Sequence, residues 1–244
     1  MIGLLLQTGT TALFFAAQSG YLEIAKLLIE HGSPVDNPSV DGGTPLFVAC
    51  QYDHLDVIEL LISHGARVNA QMKDGATPVF IASQNGHPRT VQYLLGRGAQ
   101  VSLCRLDAAT PLWIASQMNH RQVCRILLQA GHPVDTLRRN GATPLFKACH
   151  KGHTDVVQEL LKYKPALGIL PNGESCLHAA CLFGHLGCVK LLVHSGADPS
   201  LTNIEGATPL QLAHQAGHKQ IVEYLTQVYH RQSQPIEPKP LNRG

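Results

Sequence analysis

The sequence predicts an all-α solenoid of seven helix-turn-helix units joined by hairpin loops. The first observation behind this is a motif whose best copies read Gly-x-Thr-Pro-Leu-x-x-Ala. Its Thr slot is filled by Thr11, Thr44, Thr77, Thr110, Thr143, Ser175 and Thr208, at steps of 33, 33, 33, 33, 32 and 33 residues. The second is a constant Ala five residues on, at Ala16, Ala49, Ala82, Ala115, Ala148, Ala180 and Ala213. The third is a constant Leu seventeen residues on, at Leu28, Leu61, Leu94, Leu127, Leu160, Leu192 and Leu225. A fixed period of this size means stacked like units rather than one central core.

The second copy shows how a unit is built. Asp41-Gly42-Gly43 is a turn signal. Thr44 offers its hydroxyl to uncapped amides, and Pro45 suits the first helical position, where no amide proton is needed. A short helix follows from Leu46 to Tyr52. Asp53 ends it, in a slot that elsewhere holds Gly20, Gly86, Asn119, Gly152, Gly184 and Gly217. These are the residue types that best tolerate a left-handed backbone. His54 opens a second helix through Ile62, with Val57, Ile58, Leu61 and Ile62 at core spacing. Gly65 stops it, and Ala66 to Asp74 is predicted to project as a hairpin towards the next copy. Neither helix reaches the roughly 12 residues at which an isolated helix becomes marginal in water, so each unit depends on its neighbours.

The copies run over about 9–38, 39–71, 72–104, 105–137, 138–169, 170–202 and 203–230, so residues 1–230 form the predicted array. Leu4, Leu5 and Leu6 stand where a preceding hairpin would lie, with nothing ahead to cover the first copy. Either the chain is part or a variant of a longer array, or a partner or second copy covers that end; the former is favoured. The fifth copy is irregular: Lys164-Pro165 replaces Gly-Ala, and one residue is missing before Gly173. Its hairpin, Ala166 to Pro171, is expected to be distorted. The last copy carries Lys219, Gln220, Glu223 and Gln227 in its second helix, as a terminal cap would. Residues 231–244 turn polar and Pro-rich and are expected to be a disordered tail, with Pro235 and Pro238 forming only a weak docking motif.

Thr-Pro-Leu, the Gly-His pair, the Leu-Leu pair and Gly-Ala at this spacing resemble the ankyrin repeat, over roughly residues 9–230. The resemblance implies a protein-binding scaffold rather than an enzyme. The chain departs from the family in the slot that usually holds His. Here it holds Phe14, Phe47, Phe80, Trp113, Phe146, His178 and Gln211. The aromatic members are expected to form a buried apolar ladder, with a partly exposed recognition stripe as the lesser reading. Ankyrin hairpins of the Val-Asn type also resemble substrates of an asparagine hydroxylase, which singles out Asn69 as a modification site. The plainer alternative is a turn Asn bonded to its own backbone.

Composition narrows the function. The chain has 44% apolar and 15% charged residues and a formal charge of +2, too small to imply a nucleic-acid partner. No apolar run reaches the roughly 18 residues of a membrane span, so no membrane insertion is expected. Seven cysteines without a Cys-x-x-Cys pair suit a reducing compartment, with the cytoplasm expected and the nucleus as the alternative. Cys176, His178, Cys181, His185 and Cys188 would suit zinc by type, but each falls in a repeat slot that explains it singly, and no metal or other cofactor is expected. No nucleophile–base set and no phosphate loop occurs, so neither catalysis nor a small-molecule substrate is expected. The histidines opening the second helices are expected to satisfy backbone groups of the loop.

The expected binding site is the concave face, made of hairpin tips and the exposed side of each first helix. Its candidate residues are Tyr52, Asn85, Met118, His150, Lys151, Leu182 and Phe183 on the helices and Lys73, Leu106, Arg138, Arg139 and Glu205 on the hairpins. Arg138, Arg139 and Lys151 would give the fifth copy a basic edge, suiting a partner protein with an apolar segment flanked by acidic residues. Two other roles compete: a substrate-recruiting subunit of a larger complex such as a ubiquitin ligase, and a passive spacer.

Overall fold

The computed structural model describes residues 9–171 and 173–232; Leu4–Leu6 and the Pro-rich segment from 233 lie outside the described residues. Among the described residues there are fourteen helices and no strand. They group into two compact units, one of residues up to Ala148 with His153–Ala166, the other of Cys149–Gly152 with residues from Leu167 onward. The division thus falls within the irregular fifth copy.

In the first unit the helix pairs are α1 (Ala12–Gln18) and α2 (Leu22–Glu30), α3 (Pro45–Gln51) and α4 (Leu55–Ser63), α5 (Pro78–Asn85) and α6 (Pro88–Gly96), and α7 (Pro111–Gln117) and α8 (Arg121–Gln129). Helix α9 (Pro144–Lys151) begins in this unit, and α10 (Thr154–Leu161) belongs to it. First helices stack on first helices, α1 on α3 on α5 on α7; among second helices α2 packs on α4, and α6 on α8 on α10. The second unit holds α11 (Cys176–Leu182), α12 (Leu186–His194), α13 (Pro209–Gln215) and α14 (Lys219–Gln232). Helix α14 is 14 residues long against nine for α12, and it takes in Arg231 and Gln232, the first two residues of the segment expected to be disordered.

The repeat motif explains the local structure. Every Thr or Ser of the slot accepts a hydrogen bond from the amide three residues on, at 3.1–3.3 Å. Each such cap stabilises a short helix by about 1 kcal/mol. The constant Ala is buried in all seven copies, which lets neighbouring first helices approach closely. The constant Leu is fully buried in copies two to seven, each contributing on the order of 1.5–3 kcal/mol. In the first copy Leu28 is only half-buried, and Ile24 is 51% exposed where Val57, Val123, Val156 and Ile221 are buried.

The left-handed slot is real in every copy, including Asp53 (φ 62°) and Asn119 (φ 65°). Beside it, the helix-opening histidines do something other than cap their own loop. Each reaches back one copy and donates its Nε2–H to a carbonyl at the end of the preceding first helix. In the first unit these bonds are His54 to Gln18, His87 to Gln51, His120 to Gln84 and His153 to Gln117, at 2.9–3.1 Å. In the second they are His185 to His150 and His218 to Leu182. They satisfy helix-end carbonyls that lack an intrahelical partner.

One second-helix slot breaks the apolar pattern. Leu60, Tyr93 and Ile126 are followed at the same offset by Glu159, whose side chain is 2% exposed. Its carboxylate accepts from Arg125 Nε and Nη2 at 3.1 Å, Lys162 Nζ at 2.9 Å and Arg121 Nε at 3.2 Å. Burial alone would raise its pKa, but Arg125, Lys162 and Arg121 outweigh it and hold the carboxyl at about 2.

Candidate partner-binding surface

The hairpin tips of the first unit form a coupled row. Each finger is closed by its own backbone bond: Met72 N–H to the Ala76 carbonyl (2.9 Å), Arg105 to Ala109 (3.0 Å) and Arg138 to Ala142 (3.0 Å). Successive tips are then tied together. Lys73 N–H donates to the Asp41 carbonyl at 2.9 Å, Leu106 to Asp74 at 2.8 Å and Arg139 to Asp107 at 3.1 Å. The side chains of Val40, Lys73, Leu106 and Arg139 are all exposed, Val40 at 54% and Leu106 at 65%. The exposed side chains thus stand on a hydrogen-bonded backbone.

One residue before the tips Leu106 and Arg139 stands an Arg whose side chain is used differently. Arg138 Nη2 donates to Asp107 Oδ2 at 2.6 Å, and its guanidinium lies 4.5 Å from the centre of the Trp113 ring. Arg105 repeats this, 3.2 Å from Asp74 Oδ2 and 5.7 Å from the Phe80 ring. Burial works against ionising Asp107, yet the Ala109 amide, Arg138 and Arg105 hold its pKa below the usual value. Arg138, expected at the site, is therefore half-buried and engaged within the array. The aromatic slot is corrected in the same way. Phe47, Phe80 and Trp113 are buried as expected, but Phe14 and Phe146 are only half-buried, and the ring faces of Phe80 and Trp113 are covered by guanidinium groups. By contrast Lys73 and Arg139 have no ion pair among the described residues.

Tyr52, Asn85 and Met118 occupy one slot at the ends of α3, α5 and α7, and all are exposed. Tyr52 stacks on His54 with ring centres 6.4 Å apart, and Asn85 Nδ2 donates to the Gln51 carbonyl at 2.8 Å. In the second unit, the His150 ring lies 4.2 Å from that of Phe183, with Leu182, Phe183 and Lys151 exposed. The tip slot there is Ile204, 80% exposed, whose N–H donates to the Gly173 carbonyl at 2.9 Å. Sequence reasoning named the adjacent Glu205, because the residue missing from copy five shifts the count by one. It also missed Val40, which subtracting one period from Lys73 would have found.

Asn69 is half-buried and bonded to the next copy rather than to its own turn. Its Nδ2 donates to the Gly98 carbonyl at 3.0 Å, and its Oδ1 accepts from Gln100 N–H at 2.9 Å. Asp36 and Asp135, in the same slot, likewise accept from the backbone of Arg67 and Ala166. His178 is buried, with Nδ1 2.7 Å from Ser175 Oγ and Nε2–H donating to the Ala207 carbonyl at 3.0 Å. Six of the seven cysteines are buried and Cys104 is half-buried. Burial pushes the Cys181 thiol up to about 12, and Cys124 likewise. Among the described residues no three His, Cys, Asp or Glu side chains converge as metal ligands. No helix there is long and apolar enough to cross a membrane.

Paired short helices, interlocked fingers and a regular period define a repeat protein built of helix-turn-helix units joined by hairpin loops. The family model for ankyrin repeats (three copies) matches residues 2–72, 68–137, 130–203 and 169–235, and the chain belongs to this family. The ankyrin repeat domain of human ASB11 is similar in structure, with a TM-score of 0.81 and 28% identity over 93% of this chain and 100% of that one. Ankyrin repeat domain-containing protein 29 from Homo sapiens is 56% identical over 54 residues, 22% of this chain and 18% of the relative. Protein phosphatase 1 regulatory subunit 27 from Homo sapiens is 47% identical over 57 residues, 23% of this chain and 37% of the relative. These alignments thus span well under half of either relative's length. Ankyrin repeats are generally protein–protein interaction modules, and the fold is typically non-enzymatic.

Proposed function

We propose that this chain is an interaction scaffold that binds a partner protein on its fingers and first-helix ends. The carrying observation is the row Val40, Lys73, Leu106 and Arg139, exposed above a hydrogen-bonded backbone. Tyr52 and Met118 extend the candidate surface in the first unit, and His150, Lys151, Leu182 and Phe183 form a candidate surface in the second. Exposed aromatic and Met side chains favour this reading, since such residues are enriched at interfaces. Proximity labelling in cells, comparing the native chain with Tyr52→Ala/Met118→Ala and with Phe183→Ala, tests it. Loss of a discrete set of neighbours is the expected result; an unchanged set for both variants would reject a dedicated surface and leave a spacer. A second reading, a recruiting subunit of a larger complex, draws support from the relative named as a phosphatase regulatory subunit. An enzyme co-purifying in fixed ratio with the native chain would favour it.

A further inference from the structure

Resting on that reading, we propose that the first unit's finger row receives an extended segment of a partner protein that presents apolar and acidic side chains alternately, one at every third residue. The four exposed tips read apolar, basic, apolar, basic: Val40, Lys73, Leu106, Arg139. Asp74 and Asp107, which follow two of the tips, are already paired with Arg105 and Arg138, while Asp41, which follows Val40, makes no ion pair among the described residues. Lys73 and Arg139 likewise make no ion pair there, and an acidic partner residue at each would complete the pairing.

Spacing selects the conformation of the segment. Packed helices lie about 8–10 Å apart, so successive fingers repeat at about that distance. A polyproline II segment has three residues per turn at about 3.1 Å each, which returns a side chain to the same face about every 9 Å. A β-strand of three residues covers a similar length but turns alternate third residues to opposite faces. A helix docks by laying an apolar face into an apolar groove, and here every second tip is a cation. Asp41, exposed beside Val40, fixes the register. It repels an acidic residue at the first tip, so the pattern runs apolar, acidic, apolar, acidic from Val40 to Arg139.

The test uses the full chain and a labelled peptide, Leu-Ala-Pro-Glu-Ala-Pro-Leu-Ala-Pro-Glu, followed by fluorescence anisotropy. Saturable binding is expected, weakened roughly tenfold or more by Lys73→Glu/Arg139→Glu and falling with added salt. A peptide with Lys in place of Glu should bind that charge-reversed variant better than the native chain. Leu106→Asp should weaken binding of the original peptide without lowering the melting temperature. Equal binding of a peptide that breaks the alternation in either direction, Leu-Ala-Pro-Leu-Ala-Pro-Glu-Ala-Pro-Glu, would overturn the proposal. So would tighter binding of a helical peptide carrying the same residues at every seventh position, or no binding of the patterned peptide. If the patterned peptide fails while Tyr52→Ala/Met118→Ala still loses its neighbours in cells, the scaffold reading stands and this inference alone falls.

Discussion

The imidazole of His120 occupies the place where a side chain at Gly86 would begin. A Cβ added to Gly86 would come within 2.4 Å of His120 Nδ1. The ring reaches the Gln84 carbonyl at 2.9 Å; beside Asp53 and Asn119, His87 and His153 make the same bond at 3.1 and 2.9 Å, so a Cβ in this slot displaces the ring without removing its bond.

Gly86→Ala should therefore destabilise the fold for two separable reasons. One is the left-handed backbone, costing more than about 1 kcal/mol for Ala; the other is the displaced imidazole. Gly65→Ala isolates the first, because Gly65 has φ 87° and open space around its Cα. Urea denaturation should show a larger loss for Gly86→Ala than for Gly65→Ala. Equal losses would mean that the histidine contact carries no stability. Gly86→Asn should lose less than Gly86→Ala, since Asn tolerates this backbone and Asn119 occupies the same slot.

Glu159 should give the chain an acid-sensitive component of stability. Its carboxyl is held at about 2 against an ordinary 4.5. A depressed carboxylate stabilises fully above its unfolded value, and that contribution is lost as pH falls from 4.5 through about 2. Glu159→Gln should lower stability at pH 7 and flatten this limb in thermal melts at several pH values. An unchanged limb would show that the ion cluster contributes nothing to folding. Glu159→Leu should lose less than Glu159→Ala at pH 7, because the equivalent positions hold Leu60 and Ile126.

His178 should act in a different window. Burial outweighs the Ala207 and Glu174 interactions that oppose it and holds its pKa below 6.5. Its contribution is complete above that value and is lost as pH falls through the depressed folded one. His178→Gln should remove this dependence while keeping the cap, since Gln211 accepts from Thr208 N–H at 2.7 Å in the next copy. The expected loss at pH 8 is at most about 1 kcal/mol. A melting curve as pH-sensitive as the native chain's would place the titration elsewhere.

Ile24 and Ile221 share one slot with opposite burial, 51% and 1% exposed. Ile221→Ala should cost on the order of 2–5 kcal/mol, and Ile24→Ala well under half of that. Comparable losses in chemical denaturation would mean that Ile24 is covered in solution.

The fold was legible because its rules are local and repeated. Thr44 and Pro45 announce a helix start, Asp53 and Gly65 announce stops, and comparing copies inside one chain replaced comparison among proteins. What the sequence did not reveal depends on neighbours. Arg138 and Arg139 are adjacent and chemically alike, yet one is bound to Asp107 and Trp113 while the other faces outward. No linear pattern distinguishes them, because the distinction is made by the carboxylate and ring of the preceding copy. The role of Asn69 was hidden for the same reason: its partners, Gly98 and Gln100, lie about thirty residues away.

The uneven burial of the thiols has a practical consequence. Cys104 stands two residues before Leu106 in the third finger, while the other six cysteines are enclosed. A maleimide dye added to the native fold should therefore attach at one position without any engineering. There it would sit beside the fingers, so that a change in its emission reports when they are occupied.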